Sequence, residues 1–413
     1  MFKVLRTNRD IRLLFIGDNI SIVGDYFTYI ALAGLIKDYT GSNFLVALVY
    51  VAFTIPSFFV SPIAGPIIDR FDRKKVLIIV HLLQALSAVG FLFTSENRIW
   101  AGLVAQVVIT CLAAFVTPAV NAAVPNLAKD PEELRQANAL FGSSWGAMTF
   151  AGAAIGGFFS EAFGRTATFV ADIGTFLVAA ALIALVTRPM QAERKTEHAR
   201  RIRPLADMRE AFHVAKEDHV ILALIASKTT FAIGAGAVSQ LAVFASDVFN
   251  KGDGGSGLLL AARGAGSALG PIFAMRYARG NLARVVTVCG MAGFVFSFSY
   301  LGASISPSIL VACGFIAVAH FGGGAQWTLS TYGLQMRTTD AIRGRVLAGD
   351  MAIVTLTLGL SSLIAGILGE LVPVREGIAI MGLLAAGGAT NYMVLTRKIR
   401  ARLRSESMPS PAA

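Results

Sequence analysis

Long apolar runs recur along the whole chain, and they restrict its fold more than any other feature of the sequence. Each run is about 20 residues long, which an α-helix needs to cross ~30 Å of hydrocarbon. Only 15% of the 413 residues are charged and the mean hydropathy is +0.65, whereas a soluble protein needs more charged surface. The chain is therefore expected to be an all-α, polytopic membrane protein.

Twelve of these runs are predicted to be transmembrane helices: residues 13–36, 43–68, 76–94, 99–120, 143–163, 167–187, 220–244, 257–275, 284–302, 308–330, 346–368 and 378–396. The longest loop follows the sixth span, and its apolar residues over 205–218 have helical spacing. This spacing favours an amphipathic helix at the membrane surface, with a solvated linker as the alternative. The chain is thus divided into an N-terminal six-helix bundle (1–187), a cytoplasmic linker (188–218), and a C-terminal six-helix bundle with a basic tail (219–413).

Basic residues are distributed unevenly between the two sides of the membrane. With the N-terminus inside, 29 of the 36 Lys and Arg residues lie in cytoplasmic segments, five in outside loops and two within spans. This bias follows the positive-inside rule and predicts that both termini are cytoplasmic. The net charge of +11 is therefore assigned to membrane topology, and no nucleic-acid partner is expected.

A short charged turn, GPIIDRFDRKKV over residues 65–76, separates the second and third spans. The triplet Gly-Pro-Ile recurs at Gly270, 205 residues after Gly65, and Arg276, Arg279 and Arg284 follow it. The recurrence indicates two related halves. Parallel repeats of this kind predict a substrate site between the halves at mid-membrane.

The six-plus-six arrangement, the long central loop and the charged turn resemble the major facilitator superfamily. The signature of that superfamily after the second span is roughly G-x-x-x-D-R-x-G-R-K, and the matching positions here are Gly65, Asp69, Arg70, Arg73 and Lys74. The resemblance implies the major facilitator fold and a latch role for this loop, with Arg343 and Arg345 before span 11 as its partners. Asp72 stands where the family has Gly, and a positive φ is expected there.

Three further stretches are similar to bacterial macrolide-efflux-like and enterobactin-exporter-like proteins: residues 118–140, the Gly24–Asp25 pair, and RGRV over 343–346. The stretch Gly152–Gly157 departs from the antiporter motif G-P-x-x-G-G at Ala153, which replaces Pro and weakens the case for antiport. The resemblance implies a secondary active exporter of amphipathic small molecules, such as drugs or siderophore-like metabolites. Proton antiport, alternating access and the bacterial cytoplasmic (inner) membrane are implied with it.

Span 1 carries polar residues on one helical face. Asp18, Ser21, Asp25 and Thr28 recur at intervals of three and four residues. A carboxylate near the bilayer centre costs several kcal/mol, so two on one face indicate a wet cavity or a fixed partner. Asp25, near the middle of the span, is the predicted proton or cation site, with Asp18 about 10 Å nearer the cytoplasm. A structural role for Asp25, pinning a neighbouring helix, is the alternative.

Two cations lie within spans of the second half, Lys228 in span 7 and Arg263 in span 8. Lys228 is predicted to face Asp18 or Asp25 across the cavity, forming a charge pair that a ligand or proton would break. Snorkelling of Lys228 towards the interface is the alternative. Two cations would suit a substrate of anionic or zwitterionic character.

Further cavity candidates in the C-terminal half are His320, Gln326 and Trp327 in span 10, with Tyr29 from span 1. His320 would relay protons, or would be a hydrogen-bonded packing residue. Asp172 in span 6 is expected to have a structural partner, because the resemblance places span 6 at the periphery.

The sequence contains no P-loop, no G-x-S-x-G and no H-E-x-x-H, so neither an ATP-driven pump nor an enzyme is expected. No cofactor or metal site is predicted. The expected partners are a small-molecule substrate, protons and the lipid bilayer, and the protein is expected to be a monomer. Two alternatives stay open: an exporter of metal ions, anionic or zwitterionic metabolites or lipids, and a transporter-like sensor that does not translocate.

Overall fold

The structure, a computed structural model, describes residues 3–191, 217–278, 281–338 and 340–406. Within these ranges the regular structure is helical: α1 (Lys3–Thr7), α2 (Arg9–Thr40), α3 (Asn43–Arg70), α4 (Arg73–Ala88), α5 (Ile99–Leu127), α6 (Pro131–Phe163), α7 (Arg165–Ala184), α8 (His219–Ala232), α9 (Asp253–Ala278), α10 (Leu282–Ser304), α11 (Ile309–Arg337), α12 (Asp340–Leu371), α13 (Val374–Leu395) and α14 (Arg397–Glu406). Spans 1 to 12 of the sequence correspond to α2 to α13.

Two of the spans continue with irregular helical geometry. A 3₁₀ segment, Val89–Phe93, extends α4. Beyond α8 the chain passes through a 3₁₀ turn (Ala235–Gln240), one α-helical turn and a π-helical turn (Phe244–Val248). Such departures from α geometry frequently occur at functional sites.

Eleven helices in the described part of the chain are long and apolar enough to cross a membrane. The remaining predicted span corresponds to α6, which has 33 residues but does not reach the same hydropathy, because its apolar portion is interrupted by Gly and Ser. The chain is therefore an all-helical, multi-pass membrane protein over the described residues, with one qualifying helix fewer than the sequence predicted.

The chain folds as two compact units. Unit 1 comprises Met1–Ile202 together with Ala242–Ala261, and unit 2 comprises Arg203–Leu241 together with Ala262–Ala413. Unit 1 thus includes the second part of the segment that joins α8 to α9, from Ala242 on, and the first third of α9. The amphipathic helix predicted over 205–218 lies outside the described residues except for its last two positions.

Glycines allow α6 to pack closely inside unit 1. A Cβ atom at Gly156 would lie 2.8 Å from the ring of Phe27 in α2, and one at Gly157 would lie 2.7 Å from the Cα of Gly257 in α9. Small residues spaced along a helix let backbones approach each other in this way. The glycine-rich stretch 152–157 is therefore the face through which α6 contacts both α2 and the start of α9.

Asp72 caps a helix and does not occupy a left-handed turn. Its φ is −62°, and its carboxylate accepts a hydrogen bond from the backbone N–H of Lys75 at 2.9 Å. The expectation of a positive φ at this position was wrong, because the break between α3 and α4 is made by an N-cap. An Asp in place of Gly is therefore compatible with this turn.

Candidate functional site

The clearest candidate site in unit 1 is a group of three carboxylates on α2 and α7. Asp172 of α7 is 1% exposed and accepts hydrogen bonds from Thr28 Oγ1 at 2.5 Å and Thr175 Oγ1 at 3.1 Å. Gly24 of α2 packs directly on this carboxylate, and a Cβ there would collide with Asp172 and Thr175. Thr28 and Gly24 thus fasten the polar face of α2 to α7.

Asp25 lies close enough to Asp172 and Asp18 for their charges to repel one another. Asp25 is half-buried, and Asp18 is 9% exposed. Among the described residues no ion pair to a basic side chain joins Asp18, Asp25 or Asp172. Because charged carboxylates in a buried site repel each other, uptake of a proton or another cation relieves the repulsion. We call Asp18, Asp25 and Asp172 the α2/α7 carboxylate cluster.

In unit 2, Lys228 forms a buried ion pair with Asp350 of α12. The side chains are 0% and 1% exposed, respectively. The Lys228 ammonium also donates to Thr331 Oγ1 at 2.9 Å and lies 4.9 Å from the centre of the Trp327 ring. The predicted partner of Lys228 was wrong, because Asp350, on a helix of the same unit, pairs with it in place of Asp18 or Asp25. The snorkelling alternative also fails, since the ammonium is fully buried.

Asp350 was not among the predicted site residues, although the sequence contained a sign of its importance. It is an acidic residue inside a predicted span of the half that holds Lys228. Two opposite charges inside the spans of one half are each costly alone, so pairing them is the cheaper arrangement. The wrong assumption was that Lys228 would pair across the repeat.

Gln326 and Trp327 flank the ion pair on α11, in different ways. The Gln326 side-chain amide donates to the carbonyl of Ser227 and to Thr230 Oγ1, the latter at 2.9 Å. Gln326 therefore ties α11 to α8 on either side of Lys228. Trp327 is half-buried and contacts Lys228 through its ring face, which suits a cation–π interaction.

His320 is a buried, hydrogen-bonded residue of unit 2. Its ring Nε2 is 2.9 Å from the hydroxyl of Tyr300, and its ring meets Phe296 edge-on. Arg263 is half-buried and near enough to act electrostatically on His320. This geometry corresponds to the hydrogen-bonded alternative for His320, and it places His320 and Arg263 together in unit 2.

Tyr29 belongs to an aromatic cluster in unit 1. Its ring centre lies 6.1 Å from that of Tyr50 and 5.4 Å from that of Phe53. The side chain is 4% exposed, so it packs between α2 and α3. Four residues separate Tyr29 from Asp25, which places both on one side of α2, about one turn apart.

The basic residues of the charged turn bind carbonyls at helix ends. Arg73 donates to the carbonyl of Ala122 at 2.9 Å and that of Met190 at 3.2 Å, and Lys74 donates to that of Val186 at 2.8 Å. Cations are favourable at the C-terminal ends of helices. Arg73 and Lys74 therefore join the start of α4 to the ends of α5 and α7.

The other latch candidates are more exposed or only partly described. Gly65 is half-buried and Arg70 is exposed. Arg343 donates to the carbonyl of Thr338 at 3.1 Å. The side chains of Asp69 and Arg345 lie outside the described part of the chain, so their contacts stay predictions.

A second polar cluster in unit 1 was not anticipated from the sequence. Arg165 makes two hydrogen bonds to Asp253, at 2.9 and 3.0 Å, and one to Asp38 at 2.6 Å. Ser160 also donates to Asp253, at 2.5 Å. We call these four residues the Arg165 cluster. Beside it, Lys37 binds Asp247 at 2.8 Å, so the segment between α8 and α9 is fastened to α2, α6 and α7.

The described helices, the buried intramembrane charges and the charged turn define the class of the protein: a multi-pass membrane transporter. A family model described as "MFS_3: Transmembrane secretion effector" matches residues 5–413. The chain therefore belongs to this family of major facilitator superfamily transporters. The resemblance drawn from the charged turn is confirmed.

Relatives of the chain include named exporters. The chain is 24% identical to the putative bacilysin exporter BacE of Bacillus subtilis, with 90% of this chain and 91% of the relative aligned. It is 23% identical to macrolide efflux protein A of Streptococcus pyogenes, over 52% of this chain and 53% of the relative. An uncharacterized MFS-type transporter of B. subtilis, YfiS, is 23% identical, and the chain spans about half of its length (52%).

A solved structure shares the fold. It is a bacterial homologue of the human lysosomal transporter Spinster in an inward-facing, unoccupied conformation, with a TM-score of 0.73 and 16% identity, covering 98% of this chain and 99% of that one. At this identity the match concerns the fold alone.

Proposed function

We propose that the protein is a proton-coupled secondary exporter of amphipathic small molecules that works by alternating access. The observation that carries the proposal is the α2/α7 carboxylate cluster, in which Asp25 lies within electrostatic reach of Asp18 and Asp172 inside predicted membrane spans. Binding of a proton and binding of a cationic group are alternative ways to relieve the repulsion between these carboxylates, which is what exchange requires. The names of the aligned relatives, a bacilysin exporter and a macrolide efflux protein, support export of a small molecule.

The proposal includes a topology. It comprises twelve spans, of which α6 has the lowest hydropathy, cytoplasmic termini, and a location in the bacterial cytoplasmic membrane. The charge bias of 29 basic residues against five supports this orientation. The two six-span halves, joined by the linker over 188–218, are proposed to rock as bundles in a monomer.

The test is substrate-dependent proton release from purified protein. Bacilysin and a macrolide are suitable first ligands, chosen from the relatives' names, and binding is detected first as a rise in melting temperature. An antiporter is expected to release protons when such a ligand binds in weakly buffered solution. Ligand binding without proton release, together with no transport into inverted vesicles, would instead support the non-translocating sensor.

Asp69→Asn is expected to leave the protein folded and inserted but to reduce export about tenfold. As the residue matching the acidic position of the family signature, Asp69 at the end of α3 is proposed to hold a helix N-terminus or a basic partner such as Arg343. The Asn variant keeps the size and loses the charge. Transport into inverted vesicles measures the effect, with Asp72→Asn as the matched control because that residue only caps α4. Normal transport by a normally inserted Asp69→Asn protein would remove the latch role.

A further inference from the structure

In the Lys228–Asp350 pair, the ammonium has a full set of partners but the carboxylate does not. The Lys228 ammonium is satisfied by Asp350, by Thr331 Oγ1 at 2.9 Å and by the Trp327 ring face at 4.9 Å. The second carboxylate oxygen of Asp350, Oδ1, is buried and has no hydrogen-bond partner among the described residues. The pair therefore has spare acceptor capacity and no spare donor.

A buried carboxylate oxygen without a donor is unfavourable, and nearly all buried polar atoms in proteins are paired. The group that would satisfy Asp350 is an N–H donor, and a positively charged one binds most strongly. Trp327 adds a ring face that already holds one ammonium and that attracts cations generally. The surroundings of Asp350 therefore suit a ligand group that contains a basic nitrogen.

We propose that Asp350 is a binding point for a basic nitrogen of the transported compound, which binds the unpaired Oδ1 and competes for the carboxylate with the Lys228 ammonium, its internal occupant. Trp327 and Thr331, which contact the Lys228 ammonium, are half-buried, so in this proposal the ligand reaches the pair past these two side chains. The proposal rests on the proposed export function and adds its substrate class: amphipathic compounds that carry a protonated amine.

The Lys228–Asp350 pair changes the substrate charge that Lys228 alone suggested in the sequence. An isolated intramembrane lysine favours an anionic substrate, but Asp350 neutralises Lys228 within unit 2. What remains available at the pair is an acceptor oxygen. In unit 1 the α2/α7 carboxylate cluster offers further acidic groups, which also suit a cationic ligand.

Three dansyl probes with one linker and different end groups test the proposal: dansylcadaverine, which ends in an ammonium, its N-acetylated form, and the matching carboxylate. Fluorescence titration of the purified full-length protein in detergent measures their affinities. The wild type is expected to bind the ammonium probe about tenfold more tightly than the acetylated one, the scale of one charge-assisted hydrogen bond. The carboxylate probe is expected to bind most weakly.

The two partners of the pair are expected to respond in opposite directions. Lys228→Gln removes the internal occupant and should raise affinity for the ammonium probe severalfold. Asp350→Asn should remove the preference for ammonium over acetamide. A purely structural ion pair would instead lose ligand binding equally in both variants, and that outcome would overturn the proposal.

Removing one member of a buried pair leaves an uncompensated charge and can prevent folding. The neutral double variant, Lys228→Gln with Asp350→Asn, avoids this, and it should fold yet bind the ammonium and acetylated probes equally. Asp218→Asn is the matched control, because Asp218 pairs with Arg337 at 2.6 Å at the N-terminal end of α8, and it should keep the wild-type preference. A double variant that keeps the ammonium preference would contradict the proposal.

Binding in detergent at one pH needs neither transport nor proton coupling, so the two proposals fail separately. Ammonium-selective binding without ligand-induced proton release would count against proton antiport and leave the Asp350 site intact. Proton release with no ammonium selectivity would support antiport and overturn the Asp350 site.

Discussion

Replacing Asp25 by Asn is expected to abolish ligand-induced proton release and to lower export by at least tenfold, while the protein still inserts and folds. Asp25 is the half-buried member of the α2/α7 carboxylate cluster, and it experiences the charge of both other members. Asn keeps the shape of the side chain but cannot take up a proton, so the repulsion that drives proton binding is removed. Proton release and transport into inverted vesicles are measured on the same preparation.

Asp172→Asn is the matched control for Asp25→Asn. The carboxylate of Asp172 is held by Thr28 and Thr175, so its loss should lower the melting temperature more than it lowers proton release. Asp25→Asn should show the reverse order. Persistent proton release in Asp25→Asn would assign the proton to another residue and give Asp25 the structural role of pinning α2.

The membrane spans were predictable because their chemistry is local. A run of apolar residues long enough to cross the bilayer is expected to be a helix, because a helix satisfies its own backbone hydrogen bonds in lipid. Eleven of the predicted spans are helices of sufficient length and hydropathy. The span at α6 shows the limit: its Gly and Ser residues lower the hydropathy, while Gly156 and Gly157 allow close packing against Phe27 and Gly257. The helix is present, although its composition gives a weak signal.

The partners of buried charges were not predictable in the same way. Burial cost indicates that Lys228 and Asp25 need compensation, but which acid or base supplies it depends on which helices touch. The sequence repeat suggested that buried charges pair between the two halves, whereas Lys228 forms its ion pair with Asp350 within unit 2. Likewise, Asp172 was correctly expected to have a structural partner, yet nothing in the sequence pointed to Thr28.

The Arg165 cluster was beyond sequence analysis for a related reason. Its members come from three parts of the chain, near the ends of α2, around the α6–α7 turn, and at the start of α9. The stretch between α8 and α9 changes from 3₁₀ to α to π geometry, and residue periodicity does not predict where such a segment ends. Only the folded chain brings Asp253 to Arg165.

Neutralising a charge in the Arg165 cluster is expected to have the second large effect, on the conformation of the protein. In the proposed topology the cluster lies at the outer ends of the spans, and it holds Ala242–Ala261, which belongs to the second repeat by sequence, within unit 1. In the proposed alternating-access cycle, that segment separates from the first six spans. Asp253 is 6% exposed and Arg165 23%, so neutralising Arg165 leaves a largely buried charge unpaired, at a cost of about 3 kcal/mol.

Arg165→Gln is therefore expected to favour the conformation in which the segment is released. A cysteine introduced by Ser256→Cys, in a background with Cys111, Cys289 and Cys313 replaced by Ala, reports the change, because Ser256 is 4% exposed. Its alkylation rate should rise at least tenfold in Arg165→Gln.

Lys37→Gln should have a smaller effect, since its partner Asp247 is 39% exposed and exposed pairs contribute little. The charge exchange Arg165→Asp with Asp253→Arg should restore slow alkylation, because it re-forms an ion pair between the same helices. An alkylation rate that Arg165→Gln leaves unchanged would mean that packing of Gly157 on Gly257, and not the ion pairs, holds the segment in unit 1.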